Sequence, residues 1–338
     1  MEFSFILISK SEKNLEKSVE ALKCIIQKYN IHSEIICSIG NNPSTQRNEA
    51  AKVAKGAWLY FLDDDSILDP DSHKQFRLAL EKFSEAMVFG GPSLLCHEDK
   101  SNWQEAIQLV FCSDFGVGPI KSRYLSIGVV RESSEKELIL CNMIINKDFF
   151  LQNGGFNEAL YPNEENEFLS RIDKKGQMIY SPLIIVYRRH RKNLKSFFLQ
   201  MVHYGKGRTK HLLFSSDYSD YVYFLPLAII LLAVVPTLFT ARPIFLFYIF
   251  SAYLFLILPT CLINLFYKRS IITFLMSLLA FCICHLGYSL GLLLGFIKKA
   301  PVPNKEVKIS FYLNGIDRNN LNLDLKMVQT AGVEPATT

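Results

Sequence analysis

Charge is what long stretches of this chain lack. Tyr221–Ala241, Pro243–Tyr267 and Ser270–Ile297 contain no Asp, Glu, Lys or Arg. About 20 apolar residues suffice to cross a bilayer. Three such runs in succession, broken only by Arg242, Lys268 and Arg269, favour membrane spans over buried core helices. Pro226, Pro236 and Pro259 are compatible with spans, because neighbouring helices satisfy the carbonyls that a proline frees. Cysteine is also sparse, with eight in 338 residues and no CxxC pair. That excludes a disulfide-dense secreted scaffold and leaves the thiols as small apolar fillers. A signal peptide is not read either. Phe3–Ile8 is apolar for only six residues and follows Glu2 instead of a basic stretch. Residues 1–190 are therefore expected in the reducing cytosol. A hydrophobic content of 49% with 20% charge excludes a disordered chain.

The formal net charge of +5 hides a division. Residues 1–187 carry 20 Lys and Arg against 26 Asp and Glu, whereas 188–211 carry eight basic residues and no acid. The basic character is thus one segment beside an acidic domain. It comprises Arg188, Arg189, His190, Arg191, Lys192, Lys195, Lys206, Arg208 and Lys210, with Leu194, Phe197, Phe198, Leu199, Met201, Val202 and Tyr204 interleaved. That pattern suits an amphipathic helix on an anionic membrane surface. Nucleic acid is a poor fit, since the remaining domain is acidic and no recognition motif occurs. By the positive-inside rule, this segment and the Lys268–Arg269 turn are cytoplasmic. Lys298, Lys299, Lys305 and Lys308 also read as cytoplasmic, yet three spans would put them outside. Either one apolar run is re-entrant or the tail breaks the rule.

The first half alternates strand and helix. Phe3–Ile8 is a buried strand, and Leu15, Val19, Leu22 and Ile26 give 11–28 a helical spacing. Ile35–Ile39 is a second strand. Gly40–Ser44 is a loop, with Ser44 or Thr45 capping a helix that runs to Lys55. Ala57–Leu62 is a third strand, 71–83 a helix and Met87–Phe89 a strand. The alternation predicts an α/β fold with a mostly parallel sheet, and such sheets bind ligands beyond the carboxyl ends of their strands.

Asp63, Asp64 and Asp65 stand at one such end. Three adjacent carboxylates repel one another, and a divalent cation with oxygen ligands relieves that. In extended chain Asp63 and Asp65 share a face while Asp64 points the other way, towards nearby backbone. The bland alternative is a solvated acidic turn. A second cluster is Glu164, Glu165 and Glu167, after Gly154-Gly155-Phe156-Asn157-Glu158. It reads either as acids favoured at a helix N-terminus or as the source of a general base.

Taken in order, these motifs resemble the family 2 inverting glycosyltransferases in their membrane-anchored bacterial form. Ser11-Glu12 after the first strand is similar to the family's Asn-Glu pair. Gln46-Arg47-Asn48-Glu49, Gly56 and Phe61-Leu62-Asp63-Asp64-Asp65 resemble its Arg-Asn helix, glycine, strand and DxD motif. Gly154–Glu158 with Glu164–Phe168 and Arg171 resembles its GGF-(D/N)-E and ED-x-E-L blocks. His190, Gln200, Tyr204-Gly205 and Arg208 resemble the block that follows the catalytic domain. The resemblance implies a GT-A fold and a nucleotide-diphosphate sugar donor. Asp63 and Asp65 would hold Mg²⁺ or Mn²⁺, and Glu165, or its neighbour Glu164, would be the base. Glu12, Arg47, Asn48, Asp64 and His190 would line the substrate site. Two departures matter. The family's Asp pair after the second strand is replaced by Asn41-Asn42, and the base is Glu instead of the commoner Asp. No QxxRW motif occurs, which points to single-sugar transfer.

The expected organisation is a GT-A catalytic domain over 1–190 and a basic interfacial segment over 191–217. A membrane region over 218–298, with about three spans, and a tail over 299–338 follow. The expected activity is sugar transfer to a polyprenyl-linked saccharide at the cytoplasmic face of the inner membrane. Transfer directly to polyprenyl phosphate and a non-catalytic scaffold are the alternatives. A phosphohydrolase DxD would follow the first strand, not the third.

Overall fold

A computed structural model of the chain describes residues 1–96, 100–173, 177–212, 218–297, 307–313 and 316–317. The elements run in the order β1 (Phe3–Ser9), α1 (Glu12–Tyr29), β2 (Ser33–Gly40), α2 (Pro43–Val53), β3 (Trp58–Asp63) and β4 (Ile67–Leu68). Next come α3 (Ser72–Lys82), β5 (Ala86–Gly90), β6 (Ser93–Leu95), α4 (Asn102–Phe111), α5 (Asp114–Val117), β7 (Arg131–Glu132) and β8 (Met143–Asn146). Then follow α6 (Lys147–Gln152), α7 (Glu164–Ile172), β9 (Gln177–Tyr180), β10 (Val186–Arg188) and α8 (Leu194–Leu212). The apolar helices α9 (Leu225–Thr240), α10 (Ile244–Lys268) and α11 (Ile271–Ile297) precede β11 (Val307–Leu313) and β12 (Ile316–Asp317).

Nine strands form one sheet in the order β12-β11-β2-β1-β3-β8-β5-β9-β7. β1 lies between β2 and β3 and runs parallel to both. All seven of its residues are buried, as expected for a strand covered on both faces. Successive side chains alternate between two cores. Phe5, Leu7 and Tyr60 meet α1 and α3 on one face, while Ile6, Leu59 and Phe61 meet Phe150, Phe156 and Phe168 on the other. The α/β architecture and the first three strands agree with the sequence reading to within two residues. One detail differs. The α2 cap is Asn42, whose side chain accepts from the amides of Ser44 and Thr45, and Pro43 takes the first helical position.

A third core joins the sheet domain to the apolar helices. Ala106, Ile107, Val110 and Phe111 of α4 bury against Phe197 and Met201 of α8, Ile257 and Cys261 of α10, and Ala280, Phe281 and Cys284 of α11. Glycines let α8 and α11 approach closely. A Cβ on Gly205 would stand 2.2 Å from the Tyr288 carbonyl oxygen, and one on Gly291 would stand 2.2 Å from that of Val202. Phe198 meets Gly287, Val202 meets Gly291 and Thr209 meets Gly295. The contacts advance together along both helices, so the two run parallel. From Leu194 on, the basic segment is thus a packed helix whose apolar face meets protein, while Arg188–Lys192 precede it on β10 and a loop.

Three helices, over Tyr221–Thr240, Ile244–Ile263 and Ile271–Ile297, are long and apolar enough to cross a membrane. Past them, β11 returns to the sheet and pairs antiparallel with β2 from Val307↔Gly40 to Leu313↔Glu34. Lys308 bonds Glu12 at 2.5 Å, and Lys23 lies over the Tyr312 ring.

Candidate active site

β1 and β3 run parallel with Ile8 opposite Asp63, so both strands end at the same edge of the sheet. Three aspartates leave that edge, and two arginines meet them. Arg47 of α2, 4% exposed, pairs with Asp63 at 2.8 Å and with Glu164 at 2.9 Å. Arg188 of β10 pairs with Asp63 at 3.2 Å and with Asp65 at 2.7 Å. The result is a chain of alternating acidic and basic side chains, Glu164–Arg47–Asp63–Arg188–Asp65. Burial disfavours the Asp63 carboxylate, but Arg188 and Arg47 outweigh it and hold that carboxyl below the usual range.

Asp64 points the other way, as the strand geometry predicts. Its partner is the Ser9 hydroxyl at 2.6 Å, because β1 is the neighbouring strand, instead of the backbone expected from sequence. Its own carbonyl accepts from Ser18 Oγ at 2.6 Å. Burial pushes the Asp64 carboxyl up, with the Ser9 bond opposing.

α7 begins after Asn163, whose φ of 91° lies in the left-handed region that Asn tolerates better than most residues. Its first two residues diverge. Glu164 is 2% exposed and held by Arg47, and burial pushes its carboxyl up to about 8 against the pull of that arginine. Glu165 faces Arg123 at a looser 3.7 Å. Arg123 is itself fixed by the carbonyls of Glu135 and Lys136 and by the Asn166 side chain. Glu167 pairs with Arg171 one helical turn on.

The remaining predicted residues separate. Asn48 brackets the Gly155 turn. It donates to the Phe156 carbonyl at 2.8 Å and accepts from the Phe156 amide at 2.9 Å. Gly155 has φ +67°, and a Cβ there would meet Asn48 Oδ1 at 2.7 Å. Glu12 is exposed and bonded to Lys308. His190 Nε2 lies 2.5 Å from Gln108 Oε1, and its ring stands edge-on to Phe111. Burial, then Arg188, pushes that imidazole down to about 3, so it stays neutral. Asn48, Glu12 and His190 do not line the cavity described next.

Asp63, Asp64, Asp65, Arg47, Glu164 and Glu165 all border one cavity of about 830 Å³. Arg123, Arg188 and Ser9 border it too, and sequence reading missed all three. Arg188 was visible only as the first of a basic run. Its role follows from β10 pairing with β4 next to the aspartates. Among the described residues, no three His, Cys, Asp or Glu side chains converge to hold a metal ion. Asp63 and Asp65 do converge, on the two sides of one guanidinium. Two hard oxygen donors suit Mg²⁺ or Mn²⁺, which take one or two carboxylates and complete their shell with phosphate and water.

Residues 10–124 match the model of the glycosyl transferase family 2. Among solved structures, the mannosyltransferase PcManGT from Pyrobaculum calidifontis, in complex with GDP-Man and Mn²⁺, matches with TM-score 0.51 at 12% identity. That match covers 84% of this chain and 87% of that one. S. aureus TarS matches with TM-score 0.40 at 15% identity over 69% of this chain, which spans 48% of that protein's length. TarS 1–349 in complex with UDP-GlcNAc matches with TM-score 0.40 at 14% identity, over 94% of this chain and 100% of that one. No curated protein sequence matches the chain. The likeness to PcManGT shows a GT-A fold.

Proposed function

We propose that this chain, which carries a family 2 glycosyltransferase domain over residues 10–124, moves a single sugar to a membrane-held acceptor. The donor is a nucleotide-diphosphate sugar. The acceptor is a hydroxyl of a polyprenyl-linked saccharide, and the reaction inverts the anomeric centre. One observation carries the reading. The Asp63–Asp65 end of β3 and the Glu165 end of α7 border a single cavity whose far wall belongs to the apolar helices.

Glu165 is the base in this reading. Its side chain is 14% exposed, borders the cavity and is free of the tight pairing that holds Glu164, so its carboxylate is available to an acceptor hydroxyl. As the acceptor oxygen bonds to the anomeric carbon, the bond from that carbon to the donor phosphate breaks. The hydroxyl proton passes to Glu165, and the nucleoside diphosphate leaves. Asp63 and Asp65 would hold Mg²⁺ or Mn²⁺, which when bound neutralises charge on the leaving diphosphate. Arg188 balances the same two carboxylates and must release part of its hold on them. Glu164 and Arg47 set the position of α7 against β3. Asp64 and Ser9 fix the turn between the two metal-facing aspartates.

Three apolar helices beside a basic α8 support membrane association, with the catalytic domain on the cytoplasmic face of the inner membrane. The test is Glu165→Gln in purified membranes, scored by acceptor-dependent release of nucleoside diphosphate across a panel of donors. Transfer should fall about 100- to 10,000-fold while nucleotide binding persists. Unchanged transfer would move the base elsewhere, and unchanged cellular glycan would point to a scaffold.

A further inference from the structure

The cavity does not stop at the sheet. Its far wall includes Arg208 of α8, Val222 and Tyr223 of the 3-10 turn Tyr218–Phe224, Leu225 and Pro226 of α9, and Tyr288 of α11. Three polar side chains, Arg208, Tyr223 and Tyr288, stand in this wall among apolar ones. Arg208 is 6% exposed. Its guanidinium lies 3.8 Å from the Tyr223 ring centroid and donates to the Tyr288 hydroxyl. Tyr223 is 8% exposed, and its hydroxyl is buried with no hydrogen-bond partner. A buried hydroxyl in that state is unstable unless something in the cavity completes it. A hydroxyl donor beside a guanidinium is a pair that phosphate oxygens satisfy.

The same spot touches the loop before the proposed base. Gly207 precedes Arg208, and a Cβ there would stand 2.7 Å from the Pro162 ring. Pro162 lies just ahead of Glu164 and Glu165, and Tyr161 packs edge-on against His203 of α8. Arg208 is therefore held against the catalytic loop on one side and against the start of α9 on the other. Val222 and Leu225 are exposed on that second side, which gives a hydrocarbon chain an apolar way out. The donor diphosphate has its own place at Asp63 and Asp65, at the sheet end of the cavity.

We propose that Arg208 and Tyr223 bind the lipid-side phosphate of the acceptor, a polyprenyl phosphate or diphosphate whose chain leaves over Val222 and Leu225. This rests on the transferase reading above and adds where the acceptor is held. The test uses the full chain in detergent micelles and compares binding of a polyprenyl phosphate, the polyprenol of equal length and inorganic phosphate. The polyprenyl phosphate should bind at least tenfold tighter than either control. Tyr223→Phe should weaken its binding about tenfold yet raise the melting temperature, because the hydroxyl removed has no partner in the unliganded fold. Arg208→Gln should weaken it about a hundredfold, and polyprenol binding should change in neither variant.

Equal binding of the alcohol, equal binding of inorganic phosphate, or undiminished lipid-phosphate binding by Tyr223→Phe would overturn the site. If Arg208→Gln does not fold, Tyr223→Phe alone decides. Nucleoside diphosphate binding by the wild type with Mn²⁺ scores the transferase reading separately. Nucleotide binding without lipid-phosphate binding sinks this site only, and loss of both sinks the reading beneath it.

Discussion

Asp63 and Asp65 carry the same charge and share Arg188, but they are not equivalent. Asp63 also meets Arg47, which is 4% exposed. Removing Asp63 takes one of two carboxylate partners from the buried Arg47 and from the partly exposed Arg188, and loss of a partner from a buried pair costs up to about 3–5 kcal/mol. Asp65 is 43% exposed at its side chain, and screening by solvent reduces its pair to about 1 kcal/mol or less. Asp63→Ala should therefore unfold at markedly lower temperature than Asp65→Ala, although in the proposed reading both should lose metal-dependent donor binding. Equal melting temperatures would refute the ranking. Glu164 predicts a pH slope. Its carboxyl lies at about 8 in the fold against an ordinary 4.5. Between those values the folded chain keeps a proton that the unfolded chain has lost. Its contribution to stability is complete below about 4.5 and is lost as pH rises through 8. Asp63, held low, contributes in the opposite sense and loses its share as the medium turns acid. Melting curves from pH 5 to 8.5 should flatten in Glu164→Gln. Adjacent aspartates and glutamates announced both ends of this site in the sequence. Their counter-ions did not show, because Arg188 lies more than 120 residues from Asp63 and only strand pairing joins them. Asn48 and His190 read as substrate residues for the converse reason. Polar residues that brace a loop or a helix look the same in sequence as those that face a ligand.

The strands and helices of the first half were legible because each has its own period. Continuous apolar runs gave β1, β2 and β3, and a 3.6-residue stripe gave α1. α8 was harder. Apolar residues between lysines predict that one face leaves water, but not whether it meets lipid or protein. Here it meets α11, along a seam where Gly205 and Gly291 bring the two backbones together. A methyl group at Gly205 would collide with the Tyr288 carbonyl, a backbone atom that cannot turn aside. Gly205→Ala should cost about 1–3 kcal/mol, the range for overpacking a tight contact. Lys206→Ala, on the neighbouring position, should cost far less. A melting temperature for Gly205→Ala equal to that of Lys206→Ala would mean that the two helices separate readily.

On the scale of the molecule, the basic residues and the sheet agree about sides. β11 pairs with β2 over seven residues, so Val307–Leu313 lies with the catalytic domain. Only residues 298–306 separate it from α11, a reach of about 35 Å at full extension. Lys298, Lys299, Lys305 and Glu306 make that segment unfit to cross a bilayer. The crossings between α8 and β11 must then be even in number, and three full spans are one too many. α9 and α10 suit a transmembrane hairpin, with Arg242 at the far turn. α11, buried along α8 and α4, suits the near side. Reporter fusions should place Arg242 opposite the catalytic domain, with the Lys268–Arg269 turn and the tail beside it. A tail on the far side would refute this.

The pairing of β11 with β2 also changes how the enzyme is moored. A domain on one stalk can swing through a wide cone above the bilayer. This domain is fastened at both ends of its membrane segment, through α8 and through β11, like a bucket on a two-point handle. In the proposed membrane-bound reading, two moorings restrict its tilt, and the mouth of the cavity would keep a nearly constant height over the lipid headgroups. A membrane-held acceptor of the kind proposed would then be met at one depth, and selectivity for linker length would become a property of the anchorage.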